Sequence, residues 1–177
     1  DLEEAQGYLE DDKLDAASGK LDSLEQDSSL TDEQRKQVED MKNKLQSAKD
    51  SAQQQQENEQ KKSERRQEFS SEMDELESDD LKISSAANAE DELAMTASSF
   101  EQWDELLSEM YDYLAGVLNA DQYASEEENY KQWVAERDSG AENAAGATED
   151  STQKQLASYS FKQSYTKARC YKLLDMM

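Results

Sequence analysis

LAMTASSFEQWDELLSEMYDYLAGV, residues 93–117, sets Leu93, Thr96, Phe100, Trp103, Leu107, Met110, Leu114 and Val117 at alternating spacings of three and four. That repeat keeps one face of a helix turned toward partners and predicts close bundle packing. At 1.5 Å per residue, a helix of about 25 to 30 residues would run roughly 40 Å. Leu118-Asn119 ends it, and Asn119-Ala120-Asp121-Gln122 resembles the cap of a following helix. That helix carries Tyr123, Tyr130, Trp133 and Arg137 and runs out in Ala144-Ala145-Gly146. Trp133 and Arg137 share a face one turn apart. Asp138 points about 100° away from Arg137 and is expected to serve a different neighbour. An inward arginine needs an acid, because a buried unpaired charge is costly. Asp104, Glu105, Glu109 and Asp112 on the long helix are the available partners. Breaking a buried pair costs about 3–5 kcal/mol. Thr152-Gln153-Lys154-Gln155 reads as a capping box for a last helix, which presents Leu156, Tyr159, Thr166, Cys170 and Leu173 on one face.

Working back toward the N-terminus, Phe69, Met73 and Leu76 form a short stripe, and Ser78-Asp79-Asp80 weakens it. Residues 53–62 contain no apolar side chain. Their Gln, Glu and Lys content favours a solvated helix. Leu14, Ala17, Leu21 and Leu24 make one stripe, with a break expected near Glu10-Asp11-Asp12. Asp27-Ser28-Ser29 is turn chemistry, and Thr31-Asp32-Glu33-Gln34 is a capping box. Val38, Met41, Leu45, Ala48 and Ala52 follow on the next helix. The chain therefore reads as all-α. An N-terminal helical hairpin (1–52) joins through a charged, mostly helical connector (53–85) to a C-terminal antiparallel helical bundle (86–177).

The absence of proline, with only five glycines, fits this reading, and the net charge is -24. Such a chain repels nucleic acid and anionic membrane surfaces and attracts cationic proteins. The exception is the last segment, where residues 150–177 hold five bases and two acids. Of 13 aromatic residues, 11 lie between Phe100 and Tyr171, so the C-terminal part is expected to supply most of the core.

Chemistry is hard to find. With no histidine there is no Ser-His-Asp triad, Cys-His pair or His-ligated zinc. Cys170, the single cysteine, sits in an amphipathic stripe and reads as a small buried hydrophobe. No phosphate loop or EF-hand spacing occurs. Acid pairs such as Asp11-Asp12 and Asp79-Asp80 read as solvated surface among 43 carboxylates. No catalytic residue, metal site or cofactor is expected.

Three motifs in order resemble the LprI-like lysozyme-inhibitor family over about residues 93–174. The first is Leu107-Ser108-Glu109-Met110-Tyr111-Asp112-Tyr113-Leu114, preceded by Trp103-Asp104. The second is Trp133 with Arg137-Asp138. The third is Thr166-Lys167-Ala168-Arg169, closing at Leu173. The resemblance implies an all-helical, exported and often lipid-anchored bacterial protein, with lysozyme inhibition associated with a few members. It does not place Trp103, Tyr111, Leu114, Trp133, Arg137, Asp138, Thr166, Arg169 and Leu173 at a binding surface, and we expect them to be structural. The chain departs from the family pattern in places. Ala141 stands where many relatives carry a cysteine, residues 155–165 lack its partner, and Tyr130 stands at an expected glutamine. The glycine-rich loop is reduced to Gly146-Ala147-Thr148.

Two functions follow as expectations. One is a non-enzymatic, cell-surface lipoprotein that blocks a cationic partner sterically, with lysozyme the leading candidate. Its anchor would lie in an N-terminal piece removed ahead of Asp1, and a helical hairpin preceding such a domain resembles what surface lipoproteins of Gram-positive bacteria carry. The other is an envelope adaptor docking through an apolar strip on the hairpin, formed by some of Leu14, Leu21, Leu24, Val38, Met41 and Leu45.

Overall fold

A computed structural model describes residues 1–177 and contains six helices: α1 (Leu2–Glu10), α2 (Leu14–Glu25), α3 (Asp32–Ile83), α4 (Ala89–Val117), α5 (Ala120–Ala145) and α6 (Ser151–Leu174). It is all-helical. No helix is long and apolar enough to cross a membrane. The chain divides into two compact units, Asp1–Lys61 and Lys62–Met177.

In the first unit, the break at Asp11-Asp12 separates α1 from α2. Asp12 adopts the left-handed region at φ 57°, which a short polar side chain tolerates better than a branched one. The Lys13 N–H then bonds the Tyr8 carbonyl at 2.8 Å. Asp27 closes the turn after α2 by accepting from Ser29 N and Oγ at 2.8 and 2.6 Å. Those two bonds hold its carboxyl below the usual range. The Thr31–Gln34 capping box is present in both directions, at 2.9 and 3.3 Å. Ala5, Ala17, Leu21, Leu24, Val38 and Leu45 form a closed core, with Leu14 and Met41 packed against it. The apolar strip expected on the hairpin therefore does not exist. Those side chains face one another and α1, because burying them is worth about 25 cal/mol per Å².

The second unit is a bundle of α4, α5, α6 and the C-terminal part of α3. Phe69 and Met73 join Trp103, Leu107, Met110, Leu114, Trp133, Cys170 and Leu173 in its core. Helix α6 packs on both α4 and α5. Asn88 caps α4 by accepting from the Glu90 and Asp91 N–H groups, and the Asn119–Gln122 box caps α5. The cap of α6 is Asp150, whose Oδ1 accepts from Gln153 N at 2.9 Å, and not Thr152. A carboxylate satisfies the free N–H groups and also meets the positive end of the helix dipole.

The long seam on α4 holds with a drift. Thr96, Trp103, Leu107, Met110 and Leu114 are buried, but Ser99 and Leu106 join them while Val117 is exposed. A strict seven-residue repeat slips by about 20° per heptad on a straight helix. The buried stripe therefore slides onto the neighbouring positions.

Candidate functional site

The family-motif side chains gather where α4, α5 and α6 meet. Arg169 on α6 donates from Nε and Nη2 to Tyr111 Oη at 2.9 and 2.7 Å. Its Nη2 also pairs with Glu126 on α5, and both side chains are at least 93% buried. Tyr111 Oη in turn donates to Glu126 Oε1 at 3.0 Å. Burial raises the Tyr111 hydroxyl pKa, against the pull of Arg169, so it stays a neutral donor. Trp133 lies between Tyr130 and Tyr165, with ring centroids 5.8 and 5.7 Å away. Tyr130, in the glutamine position of the family pattern, thus adds to an aromatic stack.

A second knot lies further along α5. Arg137 donates from Nη1 to Asp104 on α4 at 2.7 Å and from Nε to Asp138 at 3.1 Å. Its guanidinium sits 5.0 Å from the Trp133 ring and 5.5 Å from Phe100. Asp138 therefore serves Arg137 itself and not another neighbour. The long arginine side chain reaches sideways far enough to cancel the 100° offset. Arg137 is nearly buried, but Asp104 and Asp138 are about half exposed. Removing the guanidinium leaves both acids in contact with water. We expect Arg137→Ala to cost about 1–3 kcal/mol in thermal or urea unfolding, less than loss of a fully buried pair. A variant that melts like wild type would make Arg137 a surface contact instead.

Trp103, Leu114 and Leu173 are fully enclosed in the core. Thr166 is buried with its Oγ1 unpaired. Where the family pattern has a disulfide, Ala141 is buried and neighbouring Gly140 meets Phe161 of α6. A Cβ on Gly140 would stand 2.2 Å from that ring. The two helices thus close on each other by an aromatic ring against a glycine.

Cys170 is buried, and its thiol pKa is pushed up to about 12, first by burial and then by the Asp104 charge. The thiolate is the reactive form. Native protein at pH 8 should therefore resist a disulfide reagent that titrates one thiol after urea unfolding. Fast reaction of the folded protein would contradict this placement.

Two acids that read as anonymous surface are central. Asp80 on α3 accepts from Trp103 Nε1 at 3.1 Å and Gln163 Nε2 at 2.8 Å. It also accepts from Ser99 Oγ, and Lys167 stands 3.7 Å away. The solvated reading of Asp79-Asp80 fails for Asp80, because it continues the Phe69, Met73, Leu76 stripe at a spacing of four. Glu126 likewise lies in register with Tyr130, Trp133 and Arg137. A carboxylate on an apolar stripe was the available signal for both.

The surface beside this core carries a different feature. Between α3 and α4 runs a groove of about 290 Å³, lined by Glu72, Glu75, Asp79, Glu105 and Glu109 around Leu76 and Leu106. Arg65 sits at one end, reaching Glu68, Glu72 and Glu109 at 2.9, 3.7 and 3.2 Å. Lys82 holds Asp79 at the other end, at 2.5 Å. Glu75 and Glu105 have no cation. Burial holds the Glu72 carboxyl above its usual range, and Glu109, Glu68 and Glu75 add to this against the opposing pull of Arg65. The groove is thus a net-negative trough in which Arg65 and Lys82 offset part of the charge and Glu75 and Glu105 stay uncompensated.

The model of the family described as lysozyme inhibitor LprI matches residues 83–173, just over half of the chain. The chain belongs to the lysozyme inhibitor LprI family. The LprI match begins about ten residues before the stretch of resemblance and takes in the α3–α4 turn and nearly all of α4, α5 and α6. It describes a family of inhibitors and not of enzymes. No curated protein and no solved structure matches the chain.

Proposed function

We propose that this LprI-family protein is a non-enzymatic, extracellular binding protein that holds a lysozyme in the acidic α3–α4 groove and blocks its substrate cleft sterically. The observation that carries this reading is the groove itself. Five carboxylates line it, with cations only at its ends. Lysozymes are commonly basic, so the charges are complementary, and steering would raise the association rate steeply at low salt. Leu76, only partly buried, offers a small apolar contact beneath the charged rim, an arrangement common in protein interfaces. The inhibitor requires no catalytic group, metal or cofactor of its own. A lipid anchor would hold it at the cell surface, where lysozyme arrives. The adaptor reading has lost its docking strip, since Leu21, Leu24, Val38 and Leu45 are buried.

The direct test is a turbidity assay of cell-wall lysis by a purified lysozyme. Protection should rise with added protein and weaken as salt is raised across the physiological range. Unchanged lysis at a large molar excess contradicts the proposal.

A further inference from the structure

On the opposite walls of a second groove, about 370 Å³ in volume, α5 places Trp133 and Glu136 and α6 places Arg169 and Lys172. Arg169 and Trp133 are respectively 5% and 7% exposed. Buried guanidinium and indole N–H groups ordinarily find acceptors within the protein. Here Arg169 spends Nε and Nη2 on Tyr111 and Glu126, and its Nη1 has no acceptor. The Trp133 indole N–H has none either, unlike that of Trp103, which bonds Asp80. Lys172, one turn beyond Arg169, is exposed and forms no ion pair. Three donors therefore line one groove without a protein acceptor. The Arg169 and Trp133 nitrogens, though on largely enclosed side chains, are still open to solvent, since the fully buried polar atom without a partner is Thr166 Oγ1. This happens in the one segment of the chain that is locally basic.

From this we infer that the α5–α6 groove binds the carboxylate of a small organic anion, taken by Arg169 Nη1, the Trp133 indole N–H and Lys172 Nζ. A planar carboxylate suits such a set, because its two oxygens offer about four acceptor positions. Glu136 stands on the same α5 wall, its carboxyl held below the usual range by bonds from Gln132 and Tyr165. It repels a second acid and favours an ammonium. The groove thus selects a zwitterion, such as an amino acid or short peptide, over a dicarboxylate. Its volume suits a molecule of that size and not a folded partner. The site stands apart from the acidic groove, so it holds or fails independently of lysozyme binding.

The test is a heteronuclear NMR titration of the full chain with L-alanyl-L-alanine, with succinate as the comparison. The expected result is saturable shifts in the Trp133 indole N–H and the Asn129 and Gln132 side-chain amides, with the Trp103 indole unmoved. Succinate should bind more weakly than the dipeptide. Lys172→Ala removes an exposed side chain, so the fold should survive. It should weaken dipeptide binding about tenfold, the loss of one charge-assisted hydrogen bond. The exposed control Lys131→Ala should leave binding unchanged. An absence of saturable shifts at millimolar dipeptide, or equal binding by wild type and Lys172→Ala, overturns the carboxylate site. Succinate binding as tightly as the dipeptide overturns the zwitterion preference.

Discussion

Arg169→Ala is expected to lower the unfolding free energy by about 3–5 kcal/mol, the cost of leaving one partner of a buried ion pair uncompensated. Arg169 and Glu126 are both enclosed, and Tyr111 and Asn129 are the other side chains in the pair's network. With the guanidinium gone, the Glu126 carboxylate keeps only Tyr111 and a 3.3 Å bond from Asn129. The melting temperature should fall by on the order of 10 °C. The charge pair is expected to matter less than its balance. Replacing both partners together, as Arg169→Met with Glu126→Leu, should recover much of the loss, because apolar residues of similar volume often match a buried ion pair. Thermal and urea melts of the two single variants and the double variant form the check. A single variant that melts like wild type, or a double variant worse than either single, would refute this account of the α4–α5–α6 junction.

Trp103→Ala should be comparably severe, at about 3–5 kcal/mol for an enclosed tryptophan. Its ring has no exposed surface, and its indole N–H is one of the donors that hold Asp80 against α4 and α6. Truncation opens a cavity and also removes a donor from a partly buried carboxylate. Trp103→Phe separates the two contributions. It keeps most of the volume and loses the N–H, so it should cost about 1–3 kcal/mol from the unmade bond. If Phe were as damaging as Ala in urea unfolding, packing would be the minor part and the Asp80 network the major one. If Ala were harmless, Trp103 would not be the centre of the core.

Much of the fold was legible because helices announce themselves by period and caps. The α4 seam, the capping boxes at Thr31 and Asn119, and the break at Asp11-Asp12 were all readable as local patterns. Local rules were weaker where several side chains competed for one role. Asp150 outdid Thr152 as the cap of α6, and Arg137 turned aside to take Asp138. The polar hubs were the least legible part. Asp80 and Glu126 look like any other acids in a chain of 43 carboxylates. Only their register with Met73 and Trp133 distinguishes them. The acidic groove was invisible for a different reason. Its five carboxylates come from two helices, and no spacing along one helix shows which residues of another will stand opposite.

The proposal that this inhibitor-family protein uses the α3–α4 groove is tested most directly by comparing two triple variants in the lysozyme turbidity assay. One neutralises the groove as Glu72→Gln, Glu75→Gln and Glu105→Gln. The other removes the same charge from the exposed face of α5 and its end, as Glu127→Gln, Glu128→Gln and Glu142→Gln. Both variants raise the net charge equally, so bulk electrostatic attraction changes alike. The account predicts that the groove variant loses most of its protection against lysis while the control variant keeps nearly all of it. Equal protection by the two variants would contradict it.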